Sequence, residues 1–435
     1  MTAFTYMPDW TIESKHETAR ETTVEGRYDK EPDTCPHCGT IGQLYKHGAR
    51  VVEVRDAPLW GKPLLVKIER RRYRCRSCQQ TFAQPLPDID DQRNMTARCI
   101  VFIQGQAVKR SFRDIADQIG VDPKTVAAVA QEHFQALEAR RQVKAPTYLG
   151  IDETTVLSQP RAIFTDVGNR RVLDLLHSRT QSTVMNWLHH LEGRQAVEAV
   201  SIDMWLSYKR AIQAALPKAV VVVDRFHISA MANQGLDRVR KRHGQRIGTQ
   251  GRRRLVRSRW LLLKRDKGLS DEQRFRRDAW LASSPSLSAA YWVKETFLNV
   301  WEVKGKEAAG RAFDAWLANV PKNMVPHYQP LLTAFGNWRA EILNWWDHPI
   351  TAGYTEAMNK TIKNIARSGP RQSFDVIRAK LLLRQGMPAD VVCSSCGGSF
   401  PANQVDHEYL LGKDEQPICH NCNRRFHTPD WLAKK

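Results

Sequence analysis

Apolar positions change their spacing several times along this chain, and each change marks a different kind of element. Residues 50–55 and 64–73 are strand-like segments rich in Val, Leu and Ile. From residue 110 the spacing lengthens. Ile115, Ala116 and Ile119 form a helical stripe, Gly120 suits a tight turn, Asp122 can cap a second helix, and Pro123 fits that helix's first position. Thr125 and Val126 then open the second helix, which predicts a helix-turn-helix. From residue 147 short apolar runs end repeatedly in carboxylates. The run 148–151 ends at Asp152, 199–202 ends at Asp203, and 219–223 ends at Asp224.

Strand-like segments at 161–168 and 171–176 follow the first of these runs, and helices are predicted over 181–192 and near 208–215. Three strands, a helix, a strand, a helix and a strand is the element order of an RNase H-like α/β fold. In that fold, carboxylates at the ends of the first and fourth strands sit side by side. Residues 229–346 read as helical and form an α-helical insertion. It holds eight tryptophans, at 260, 280, 292, 301, 316, 338, 345 and 346. These can pack helix against helix, or one or two can stack on an unpaired base.

Composition narrows the class. The chain has 435 residues, which at roughly 150 per domain gives about three domains. Hydrophobic residues make up 42% and charged residues 26%, as in a folded globular protein, so wholesale disorder is excluded. No apolar run approaches the roughly 18 residues that a membrane span needs, and the start, MTAFTYMPDW, lacks a secretory layout. The expected location is the cytoplasm, with no membrane partner. Lys and Arg number 66 against 46 Asp and Glu, a net charge of +20, which points to a polyanion and first to nucleic acid. Between residues 238 and 267 there are 13 Lys and Arg and one acid, Asp266. Arg252, Arg253 and Arg254 lie inside that run, which can be a solvated face or a track for a DNA backbone.

Eight of the nine cysteines fall into four C-x-x-C pairs. That pattern fits thiolate zinc ligation better than a disulfide framework. Cys35, Cys38, Cys75 and Cys78 predict one zinc ribbon, and Cys393, Cys396, Cys419 and Cys422 predict a second, giving two structural Zn²⁺ sites. Cys99 is left over and reads as a small buried hydrophobe. Within the helix-turn-helix, Arg113, Lys124 and Thr125 are the candidates for contact with double-stranded DNA.

Paired acids carry the candidate chemistry. Two carboxylates about one metal diameter apart repel each other unless cations lie between them. Two Mg²⁺ ions can activate an attacking oxygen and stabilise a leaving oxygen at a phosphodiester. A third acid from a later helix is expected at Glu356, where Glu356, Lys360, Lys363 and Arg367 share one helical face. Such a face can hold metal and flanking phosphates, or be an ordinary solvated surface. By spacing alone Asp152 and Asp203 can also be strand-end or capping residues.

The blocks GIDET (150–154), SIDMWLSY (201–208), DRFH (224–227), TEAMNKTIKNIARSG (355–369) and SFDVIRAKLLL (373–383) resemble those of bacterial insertion-sequence transposases of the ISL-three family. The resemblance covers roughly residues 30–385. It implies a DDE catalytic triad at Asp152, Asp203 and Glu356, with Asp224 and His227 matching an accessory acidic-x-x-His motif. Spacing alone leaves Asp224 open as the second acid. The family also implies binding of terminal inverted repeats and target DNA, Mg²⁺-dependent strand cleavage and strand transfer, action as a homodimer or higher oligomer on DNA, and a place on the bacterial nucleoid. Two features depart from the family: Thr351-Ala-Gly stands where Ser-Asn-Gly is usual, and the C-terminal ribbon is not a standard part.

The expected architecture is therefore a multidomain α/β protein. Residues 1–90 form a zinc ribbon and 91–145 a helix-turn-helix. Residues 146–385 form the RNase H-like core with its insertion at about 229–346, and 386–435 form a second ribbon. The alternative class is a non-catalytic DNA-binding regulator or a domesticated transposase. The complete set of three acids argues against a decayed core.

Overall fold

In the computed structural model, the described residues are 9–369 and 372–384, together with two short paired strands farther on. The proposed second ribbon, Cys393, Cys396, Cys419 and Cys422, lies outside the described residues. One compact unit runs to Gln142 and resumes at Ile362; the other is Val143–Thr361.

The first unit opens with a sheet of β1 (Trp10–Glu17), β2 (Thr22–Tyr28), β3 (Leu44–Leu59), β4 (Lys62–Cys75), β5 (Thr81–Ala83), β6 (Ile89–Asp90) and β7 (Met95–Thr96). The order is β1-β2-β4-β3-β7-β6, with β5 on the outer part of β4. The strand-like segments at 50–55 and 64–73 are parts of a longer hairpin, β3–β4. Its turn residues Trp60 and Gly61 both have positive φ, 53° and 79°, which matches the right-handed twist of the flanking strands. Val24, Val54, Leu64, Val66, Ile68 and Leu86 form its core. The buried Arg70 is held by Gln84 O at 2.8 Å and by both carboxylate oxygens of Asp91.

Three helices follow: α1 (Ala97–Ala107), α2 (Phe112–Ile119) and α3 (Pro123–Ala139). Each has a side-chain cap, from Thr96, Ser111 and Asp122 respectively. Gly120, at φ 80°, ends α2, and Asp122 Oδ1 accepts from Lys124 N at 2.7 Å to start α3. The turn chemistry expected at Gly120, Asp122 and Pro123 is thus the turn observed. Cys99 is fully buried among Ile103, Ile115, Ile119 and Val126, and burial pushes its thiol up to about 12.

The second unit contains a five-stranded sheet, β8 (Tyr148–Val156), β9 (Gln159–Asp166), β10 (Arg171–Leu175), β11 (Ala199–Ile202) and β12 (Val220–Val223), in the order β10-β9-β8-β11-β12. β9 is antiparallel to both β8 and β10, while β11 is parallel to both β8 and β12. The crossovers are α4 (Gln181–His190) and α5 (Leu206–Ala215). Strand β8 runs four residues past Asp152, so that acid lies within the strand and not at its end. The cause is the β8–β9 hairpin, whose turn residues Leu157 and Ser158 take φ 51° and 61°.

After β12 the insertion begins at once with α6 (Arg225–Gly244), followed by α7 (Thr249–Arg257), α8 (Arg259–Leu263), α9 (Asp271–Ala282), α10 (Pro285–Asn299), α11 (Lys306–Ala318) and α12 (Val325–Leu343). Trp316 and Trp338 are buried, and Trp301 stacks on Trp346 at 4.9 Å, so core packing accounts for these rings. Trp260 and Trp292 are half exposed. The buried Lys294 ammonium donates to Leu262 O at 2.9 Å and pairs with Glu295. Helix α13 (Gly353–Arg367) carries the chain out of the insertion. The last helix, α14 (Phe374–Arg384), adds Val376 to the core of α1–α3. There, Lys380 Nζ donates to Arg110 O at 2.9 Å and Arg384 Nε to Val108 O at 2.6 Å. Among the described residues no helix is long and apolar enough to cross a membrane.

Helix α6 lies so close to α12 that a Cβ at Gly235 would stand 2.6 Å from the Tyr328 ring. Tyr328 cannot yield easily, because it is fully buried and its hydroxyl donates to Ala290 O at 2.6 Å. Gly235→Ala is therefore expected to lower stability by about 1–3 kcal/mol, outweighing the gain of about 1 kcal/mol that Ala brings at an open helical site. Urea unfolding followed by tryptophan fluorescence checks it, since the insertion carries most of the rings.

Candidate active site and zinc centre

The four N-terminal cysteines converge at the open end of the β3–β4 hairpin. Their sulfurs lie within 4.8 Å of one another, with Cys35–Cys78 and Cys38–Cys75 each at 3.7 Å. A tetrahedral zinc with Zn–S bonds of about 2.3 Å requires sulfurs about 3.8 Å apart, so the thiols fit that ion. Two matching knuckles present them. Gly39 N donates to Cys35 O at 2.9 Å and Gln79 N to Cys75 O at 3.0 Å, with Gly39 and Gln79 both at positive φ. Hydrogen bonds from the Thr40 side chain and backbone hold the Cys38 thiol down at about 6, toward the thiolate that binds metal.

The acids gather where the parallel pairing of β8, β11 and β12 stops. Ile151 pairs with Ile202, and Ile202 with Val223, so Asp152, Asp203 and Asp224 follow at equivalent levels on three adjacent strands. Asp152 is 5% exposed and Asp224 is fully buried. Asp152 Oδ1 accepts from Glu153 N at 2.6 Å and Oδ2 from Asn359 Nδ2 at 2.7 Å. Burial, and then the Asp203 carboxylate beside it, push Asp152 up to about 7. Asp224 caps α6 by accepting from Phe226 N at 3.2 Å. One turn on, His227 Nδ1 lies 2.9 Å from Asp203 Oδ1 and 3.4 Å from Asp224 Oδ2. Asp203 and then Asp224 push this imidazole up to about 10. Neither approach has hydrogen-bond alignment, and Asp203 Oδ1, Asp224 Oδ2 and His227 Nδ1 are all buried without a hydrogen-bond partner.

Glu356 stands in the first turn of α13. Its carboxylate, Asp224 and His227 offer ligand atoms within 4.8 Å of one another. Asp152 and Asp203 are outside that tightest set, and join it through the contacts of Asp203 with His227 and with Asp152. The two residues read as accessory, Asp224 and His227, are thus as close to Glu356 as any acid of the expected triad.

Several contributors to this site have no local signature. Asn359 follows Glu356 by one helical turn and fixes the Asp152 carboxylate. Thr355 and Thr165 share a buried hydrogen bond at 2.7 Å. A Cβ at Gly150 would stand 2.5 Å from Thr165 Oγ1 and 2.9 Å from Thr355 Oγ1, so the glycine of GIDET lets α13 approach β8. Tyr208 is buried with an unpartnered hydroxyl, its acidity weakened by burial and then by the Asp152 charge. The Asn359 and Thr355 positions lie in the TEAMN block, but their partners are some 190 residues or more away.

The candidate nucleic-acid contacts lie on the surface and not in this cluster. Arg113 and Lys124 are exposed on α2 and α3, and Thr125 is half buried. Arg252, Arg253 and Arg254 are exposed on α7, and Lys360, Lys363 and Arg367 on α13.

An acid row on a mixed sheet, an acid returning on a helix and a Cys₄ ribbon together define the class. Residues 149–370 match the model of the ISL3 DDE family, described as a transposase, over more than half of the chain, and the protein belongs to that family of insertion-sequence transposases. Residues 31–78 match the zinc-finger of transposase IS204/IS1001/IS1096/IS1165. The chain is similar to the transposase for insertion sequence element IS1001 of Bordetella parapertussis, 26% identical over 347 residues, covering 77% of this chain and 84% of that protein. It is also similar to the transposase for insertion sequence element IS1557 of Mycobacterium tuberculosis, 24% identical over 368 residues, covering 77% and 81%.

Cys75→Ser is expected to remove one zinc ion per chain relative to the unaltered protein and to lower its melting temperature. Elemental analysis after dialysis, with a thermal melt, checks it.

Proposed function

We propose that the protein binds the terminal inverted repeats of its insertion sequence and catalyses Mg²⁺-dependent strand cleavage and strand transfer through Asp152, Asp203 and Glu356. The observation that carries this reading is the register of β8, β11 and β12, which aligns three carboxylates, with Glu356 brought to them by α13. The order β10-β9-β8-β11-β12 supports an RNase H-like core.

The residues fit divalent cations. Clustered, largely buried acids with unpartnered oxygens form a hard-oxygen cage that is electrostatically incomplete by itself. Asp152, Asp203 and Glu356 would hold two Mg²⁺ ions. When bound, the ions supply activation of the attacking oxygen and charge stabilisation of the leaving oxygen. The chain's own residues orient the site. Glu153 N–H and Asn359 aim the Asp152 carboxylate. Gly150 sets the approach of α13 to β8. Lys360, Lys363 and Arg367 extend from Glu356 along one helix face and meet the flanking phosphates.

The domains divide this work. The ribbon at 1–90 and the helix-turn-helix at 91–145 recognise the repeat, with Arg113, Lys124 and Thr125 on the duplex. The core at 146–385 performs the chemistry, and Arg252, Arg253 and Arg254 of its insertion follow the DNA backbone. The second structural Zn²⁺ expected at Cys393, Cys396, Cys419 and Cys422 falls outside the described residues. Joining two ends requires two sites, and so a homodimer or larger assembly on DNA.

Asp152→Asn, Asp203→Asn and Glu356→Gln are each expected to abolish cleavage of a duplex carrying the terminal repeat, with repeat binding retained. Specific binding without cleavage by the unaltered protein, under any divalent ion, would instead identify a DNA-binding regulator. Arg113→Ala and Lys124→Ala are each expected to weaken repeat binding. Each should also reduce the slope of log affinity against log salt by about 1 where the side chain contacts a phosphate. Titrations at several salt concentrations measure both.

A further inference from the structure

Asp203 Oδ1 and Asp224 Oδ2, both buried without hydrogen-bond partners, each lie against His227 Nδ1, which also lacks one. Asp224 is fully buried, and its other oxygen already caps α6. The cap fixes the carboxylate and directs Oδ2 toward His227, which the same helix presents one turn later. The ring nitrogen lies 2.9 and 3.4 Å from the two carboxylate oxygens. Adjacent ligands about 2.1 Å from an octahedral ion stand about 3.0 Å apart. The spacing is therefore that of neighbouring ligands on one ion, while the alignment is wrong for hydrogen bonds. Glu356 adds a third donor within 4.8 Å of Asp224 and His227, and Asp203 lies outside that set.

We propose that His227 Nδ1 and Asp224 Oδ2 are direct metal ligands, which with Glu356 form a nitrogen-containing site beside Asp203 that selects Mn²⁺ over Mg²⁺. This deepens the catalytic reading above and rests on it. Imidazole nitrogen is a poor ligand for Mg²⁺, which takes oxygen donors, and a better one for transition ions, among which Mn²⁺ accepts a mixed set of carboxylates and imidazole. An all-carboxylate site would leave the fully buried Asp224 Oδ2 without a hydrogen-bond donor or a metal, facing only the His227 ring at 3.4 Å. A metal contact gives that oxygen a partner and uses the imidazole in the same step.

The test uses zinc-loaded, full-length protein, so that the thiol sites are already filled. Mn²⁺ is titrated by calorimetry and followed by electron spin-echo envelope modulation, which detects a nitrogen bonded to the ion. The expected result is histidine nitrogen modulation in the unaltered protein that disappears in His227→Gln. Mn²⁺ affinity should fall about tenfold or more in that variant, and the preference for Mn²⁺ over Mg²⁺ should shrink. Asp224→Asn keeps the α6 cap, because Asn caps as well as Asp, and is expected to weaken Mn²⁺ in the same way with an unchanged melting temperature. Mn²⁺ binding without nitrogen modulation would overturn this proposal and leave the catalytic reading standing. So would tighter Mn²⁺ binding in His227→Gln, which would mark the imidazolium as a cation standing in for the ion. Failure of the unaltered protein to bind either Mn²⁺ or Mg²⁺ would overturn both.

Discussion

Everything in the acid cluster of the second unit depends on the parallel register of three short strands. Because β8, β11 and β12 pair level with one another, three carboxylates emerge side by side, with Asp152 and Asp224 buried and Asp203 part-exposed. Like charges in a low-dielectric setting raise each other's free energy. Asp152 shows burial first and this repulsion second in its reluctance to ionise. The surrounding structure restrains the acids individually: a backbone N–H and Asn359 on Asp152, a helix N-terminus on Asp224, an imidazole beside Asp203. None of these neutralises the group as a whole. The strain is electrostatic and local, and a bound cation would relieve it.

The insertion reads differently in that light. It joins the end of β12 to the start of α13, and its aromatic rings Phe297, Phe313, Trp316 and Phe335 belong to the same core as Leu149, Val200 and Val223 of the sheet. Its first helix begins with only Asp224 between it and β12, and so carries His227 into the acid cluster. An added domain at that point does not interrupt the site, since its entry helix is itself a wall of it.

Much of this was legible from the amino-acid order. Short apolar runs ending in Asp203 and Asp224 announced their strands because the runs are buried on both faces. Gly120, Asp122 and Pro123 announced their turn because each residue type has a local backbone reason to be there. Cysteine spacing announced the zinc centre because four thiols in two knuckles have few other uses. The position of Asp152 within its strand was not legible, since Leu157 and Ser158 lack the glycine or asparagine that usually marks such a hairpin turn. Nor were Asn359, Thr355 and Gly150, whose meaning lies in partners reached only when α13 returns to β8. The packing of α14 on α1–α3 was equally hidden, because its hydrogen bonds to Val108 and Arg110 join residues some 270 positions apart.

The long β3–β4 hairpin has a consequence for how the ribbon assembles. Its turn at Trp60 and Gly61 lies at one end, and the register Leu44 with Cys75 brings the two cysteine knuckles together at the other. Closing a flexible loop of 36 residues would ordinarily exact an entropic penalty at the moment of metal capture. Here zippering of the hairpin from its tight turn, a microsecond-scale event, spends most of that entropy beforehand. Zinc then meets four sulfurs already at the mouth of a formed structure, and its capture becomes the last stitch of folding and not the nucleus.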